Sequence, residues 1–76
     1  MKIVGLFSKL EQKVGFKLAG VDSRIVKDLE GLNIQLEEIK KDYSIGILIL
    51  SEDIYNMNKK DFDAMKKSRY PLLQII

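Results

Sequence analysis

Gly15 and Gly20, inside KVGFKLAGVDS (residues 13–23), stand five positions apart, as do the two glycines of a phosphate-binding loop. Such a loop carries lysine and a hydroxyl residue after its second glycine and opens a helix there, so that backbone amides and the helix dipole meet the phosphates. Here Val21 and Asp22 follow Gly20, and the glycines fall where a helix ends. Phosphate has no cradle in this stretch. A dinucleotide site would place G-x-G-x-x-G after its first strand, where Gly5 stands alone. A flavin phosphate would draw on hydroxyl residues and glycines with free amides, whereas FSKLEQK (7–13) supplies one serine among bulky neighbours.

Ser8 and Ser51 are the remaining candidate nucleophiles, and Glu52 with Asp53 the remaining acid/base pair or magnesium site. The chain has no histidine and no cysteine, which removes the usual activating base, thiolate chemistry, disulfides and the common zinc sets. Both serines stand where helix caps belong, and adjacent carboxylates on a first helical turn diverge while complementing its dipole. A phosphoacceptor receiver would want acidic residues after the first strand and an aspartate ending the third; Leu6 and Phe7, and Leu50 and Ser51, hold those places. No catalytic, cofactor-binding or metal residue is therefore expected.

The elements around these positions follow from periodicity. KIVGLF (2–7) is a short apolar run and predicts a strand. Ser8 and Glu11 have capping-box spacing, so a helix should start there, with Leu10, Val14 and Leu18 as its apolar side and Gly20 as its left-handed end. DSRIV (22–26) suits an edge strand. Leu29, Leu32, Leu36 and Ile39 give a second amphipathic helix. SIGILIL (44–50) is a strand apolar on both faces, with Ile45, Ile47 and Ile49 on one and Leu48 and Leu50 on the other. Ser51 should cap a third helix that breaks within NMNKK (56–60) and resumes with Phe62 and Met65 inward. Pro71 should stop it before a last strand, LLQII (72–76).

That alternation predicts a single α/β domain over residues 1–76. It should be a small doubly wound parallel sheet of four strands in order 2-1-3-4, with three helices, Rossmann-like or flavodoxin-like. At 76 residues the core buries only roughly 60% of the unfolded chain's surface. A composition of 46% hydrophobic and 32% charged residues excludes disorder. The formal charge of +2 is dispersed, and the one basic cluster, Lys66, Lys67 and Arg69, lies beside Asp61 and Asp63. Nucleic acid is thus not an expected partner, since its binding calls for a concentrated basic stripe. No apolar run approaches the roughly 20 residues of a membrane span, so direct membrane insertion is not expected either.

VGFKLAGV (14–21), IGILILSEDI (45–54) and YPLLQII (70–76) together make the chain resemble the F subunit of V-type and archaeal-type rotary ATPases, called G in some bacterial sodium pumps. The glycine, phenylalanine, basic, leucine, small and glycine pattern of that family's first helix is met by Gly15, Phe16, Lys17, Leu18, Ala19 and Gly20. Its third strand with a following hydroxyl and glutamate is met by residues 46–52. Leu6 and Phe7 depart from the aspartate-rich turn usual after the first strand, and the C-terminal helical segment of the family is missing after Ile76. The resemblance implies a noncatalytic central-stalk component that sits on the coiled coil of the stalk's D subunit and contacts other subunits. It would help couple or regulate ATP hydrolysis or synthesis with ion transport, in the cytoplasm and peripheral to the membrane. A degenerate receiver-like or small-molecule-binding α/β domain is the alternative.

Right-handed crossovers put the first helix on one side of the sheet and the others opposite, leaving the third and fourth strands bare on the first helix's side. A missing helix, a partner or self-association must cover them. Gly15, Phe16, Lys17, Leu73 and Ile75 are the candidate interface residues. Gly15 permits close approach of either the sheet beneath or a partner helix above, and Phe16 faces either a partner or the interior.

Overall fold

The computed structural model describes residues 1–68 and 71–76. Four strands, β1 (Lys2–Phe7), β2 (Asp22–Ile25), β3 (Ile45–Leu50) and β4 (Leu72–Ile75), form one parallel sheet in the order β2-β1-β3-β4. The expected topology is the observed one. Its helices are α1 (Leu10–Leu18), α2 (Leu29–Lys41), α3 (Glu52–Met57) and α4 (Lys59–Lys66). The third predicted helix is thus two helices, split where the break was expected. Asn58 serves as N-cap of α4, its side chain accepting a hydrogen bond from the Asp61 amide. Helix α4 ends at Lys66, ahead of Pro71, and the expectations that involved Arg69 and Tyr70 lie outside the described residues.

The main core lies between the sheet and α2, α3 and α4. Val4, Leu6, Leu48 and Leu50 meet Leu32, Leu36, Ile39, Ile54, Phe62 and Met65 there, nearly all fully buried. Each such side chain contributes about 1.5–3 kcal/mol by leaving water. Ile45 belongs to this side too, a correction to its expected place with Ile47 and Ile49. Lys2 pairs with Ile45 but Ile3 with Ile47, so Gly46 is an extra residue that shifts the alternation of β3. Leu29, expected inward, is half exposed at the start of α2.

Helix α1 departs most from expectation. It lies over β1 and β2, yet has no fully buried residue, and its presumed inner side is outermost: Leu10 is 66%, Val14 48% and Leu18 85% exposed. Phe16 turns inward instead and stacks on Phe7 at 4.9 Å between ring centroids. One stacked aromatic pair over a narrow two-strand floor replaces the aliphatic stripe as the anchor. The far end closes as expected. Gly20, at φ +90°, is the left-handed residue of a Schellman motif in which the Gly20 amide donates to Lys17 and the Val21 amide to Phe16, both at 3.0 Å.

Candidate functional site

In an open α/β sheet the chemistry gathers where strand order reverses, here at the carboxyl ends of β1 and β3. Ser8 follows β1 and Ser51 follows β3, and the fold does bring them together, on Asp53. The Ser8 hydroxyl donates to Oδ2 of Asp53, while the Ser51 hydroxyl donates to Oδ1 at 2.5 Å and the Ile54 amide to the same oxygen at 3.0 Å. Two expectations are corrected by this. Ser8 forms no capping box with Glu11, since the N-cap of α1 is Lys9 and carries no side-chain cap bond. Ser51 does stand at the N-cap of α3, but its hydroxyl bonds Asp53 and caps no amide.

This arrangement ties two strand ends to one carboxylate. The Ser51 hydroxyl first, then that of Ser8, holds the Asp53 carboxyl below the usual carboxylate range. A carboxylate so stabilised is a poor proton acceptor, and general-base catalysis works best with a group titrating near the operating pH. Beside it is a hollow of about 390 Å3 lined by Lys9, Gln12, Ser51, Glu52, Asp53, Asn56 and Ile76. The Gln12 Oε1 is buried there without a hydrogen-bond partner among the described residues. Glu52 is exposed on the first turn of α3 and lines this hollow together with Asp53. Among the described residues no three acidic side chains converge as a metal cluster would.

The latch makes stability depend on acidity. Because its folded-state pKa is depressed, Asp53 contributes stability that is fully present above its unfolded value of about 3.9 and is lost as pH falls through the lower folded value. The urea midpoint should fall on acidification from roughly pH 5 to pH 2. Asp53→Asn should lower the midpoint at neutral pH and flatten that decline. Part of the slope persists, since Asp22, held down by Arg24 and Lys2, and Asp42, held down by Ser44, titrate in the same direction. An identical acid profile for the variant would mean the latch does not form.

A larger hollow, about 550 Å3, opens at the other end of β3 among Ile39, Lys40, Tyr43, Ala64, Met65 and Pro71. The five candidate interface residues do not form one patch. Gly15 and Lys17 are exposed on α1, Phe16 is turned onto Phe7, and Leu73 and Ile75 are half-buried against the main core on the opposite side of the sheet. Gly15 meets no sheet atom, for a Cβ built there would find nothing within 4 Å.

Sheet, crossovers and crest define the class: a small doubly wound α/β domain whose switch point holds a serine–aspartate latch. Within that class its family is shown by sequence. The family model for the ATP synthase (F/14-kDa) subunit matches residues 5–76, and the chain belongs to that family. The match supports an F subunit of a V-type ATPase, as the resemblance implied. No curated protein matches the chain. Among the described residues no helix is long and apolar enough to cross a membrane.

Proposed function

We propose that the chain is a noncatalytic component of the rotor's central stalk, seated on the coiled coil of the D subunit, where it helps couple or regulate ATP turnover and ion transport. It is held at the cytoplasmic surface of the membrane through the complex and binds no nucleotide itself. The observation that carries this reading is the uncovered side of the sheet. Ile3, Ile47 and Leu72 fall in one row by register on the α1 side, with Leu72 61% exposed, and Ile49 lies one row on. At a strand spacing of about 4.8 Å, the span from β1 to β4 is roughly 10 Å, the width of one α-helix. An apolar floor of that width suits a helix of another subunit.

Mixed at micromolar concentration with a D-subunit coiled coil, the chain should co-elute with it in size exclusion and melt at higher temperature than alone. Separate elution would overturn the proposal. The small-molecule alternative makes the opposite forecast: ATP, FMN or acetyl phosphate with magnesium would raise the melting temperature of the isolated chain, and we expect none to do so.

A further inference from the structure

The helices are attached to the sheet very unequally. Helix α2 buries Leu32, Leu36 and Ile39 in the main core, and α4 buries Phe62 and Met65. Phe7 and Val21 are also buried but stand apart from that core, on the other side of the sheet, where the Phe16 ring of α1 covers Phe7. Helix α1 itself has nine residues, none fully buried, and is too short to persist without packing. Gly15, in its middle, lowers its helical preference further. Among the described residues none of its side chains reaches another element by a hydrogen bond or an ion pair. The Gln12 Oε1, buried without a partner where α1 now lies, would regain a bond to water if the helix lifted. Two attachments remain: the stack of Phe16 on Phe7 and, just ahead of the helix, the Ser8 hydroxyl on Asp53.

From these contrasts we infer that α1 is a lid, which lifts from the sheet as one unit while the four strands and α2, α3 and α4 stay folded. Ser8 and Asp53 clasp its leading end, and its trailing end turns on Gly20, at φ +90°. Openings of this kind have free energies between those of fraying ends and of global unfolding. What the lid uncovers is continuous with the bare strip of the sheet. Val21 precedes Asp22, the partner of Val4, so it prolongs the row of Ile3, Ile47 and Leu72 onto the β2 side. Lifting α1 extends that strip across all four strands, wider by about 4.8 Å, and adds the Phe7 ring. Clasp and lid thus set how much apolar floor the chain presents, a narrow strip when closed and the full sheet when open. The lid follows from the unequal burial of the helices and does not depend on which partner occupies the strip.

Native-state hydrogen exchange of the whole chain, followed amide by amide in sub-denaturing urea, tests the lid. The amides of Val14 to Leu18 and of Val21, which donates to Phe16, should exchange as one group. That group should be about 100-fold faster than the core amides of Leu36 and Leu48, with a urea slope well below the global one. Phe62→Leu should quicken Leu36 and Leu48 but leave the α1 group unchanged, because the contacts of Phe62 persist in both lid positions. Ser8→Ala should quicken the α1 group about tenfold, since the bond lost is to a charged carboxylate. If Phe62→Leu quickens α1 by the same factor as the core, α1 opens only when the whole chain unfolds, and the lid is overturned. Graded rates along α1 with no urea dependence are fraying and overturn it equally. An α1 group indifferent to Ser8→Ala overturns the clasp.

Discussion

Phe62→Ala lowers the melting temperature of this chain by about 15–30 °C, the larger of the two greatest expected effects. Phe62 is fully buried, packs beside Tyr55 at 6.2 Å between ring centroids, and joins the core under the sheet. Truncating a buried phenylalanine to alanine costs about 3–5 kcal/mol in lost transfer energy and residual cavity. A chain of this length has only roughly 4–11 kcal/mol in total. Location adds to the effect. Helix α4 has eight residues, too few to persist alone, and only Phe62 and Met65 are buried in it. Removing the ring therefore releases the cover over β4 as well as opening a void. Urea denaturation followed by circular dichroism measures it. Phe62→Leu should retain well over half of the stability lost in the alanine variant, and a loss below about 1 kcal/mol in Phe62→Ala would show that the ring is not a core anchor.

Gly5→Ala is the second. A Cβ at Gly5 would stand 2.5 and 2.7 Å from ring atoms of Phe7 and 3.2 Å from Val21 Cγ1. The Phe7 ring folds back along β1 over Gly5, is fully buried, and bears the Phe16 ring of α1 on its other side. It cannot yield without displacing the aromatic pair by which α1 is attached. Overpacking of this kind costs about 1–3 kcal/mol, here a melting temperature lower by roughly 5–20 °C. The strain is specific to the ring, which a double-mutant cycle can show. In a Phe7→Leu background the added methyl should cost much less, and additive effects would mean that the contact with Phe7 is not the cause. Hydrogen exchange should quicken in α1 before it does in α2.

Strand order was legible because helical crossovers between apolar runs leave few parallel arrangements, and the break at Asn58 was legible because polar residues interrupt the helix there. The bare flank of β3 and β4 followed from the same handedness. What resisted reading depended on partners distant in the chain. Leu10, Val14 and Leu18 disclose a stripe on α1, but not whether it faces in or out; that was settled by Phe16 finding Phe7. Ser8 had a plausible local partner in Glu11, yet its hydroxyl goes to Asp53, 45 positions away. Gly5 read as a solitary glycine, since nothing local shows that an aromatic ring two residues on will lie over it. Gly15 was legible as a small residue with two possible neighbours, and only the open space above it separates them.

The two rims of the sheet are unequal in a way that bears on handling the chain apart from its assembly. At β2 the margin carries Asp22 and Arg24, joined at 2.9 Å, with Lys2 beside them, and charge of that kind repels an added strand. At β4 the margin is four uncharged residues, LLQI, whose outer backbone groups have no neighbouring strand among those described. Storage at high concentration should therefore fail along that border, by edge-to-edge templating into fibrous aggregate while the rest of the molecule is still folded.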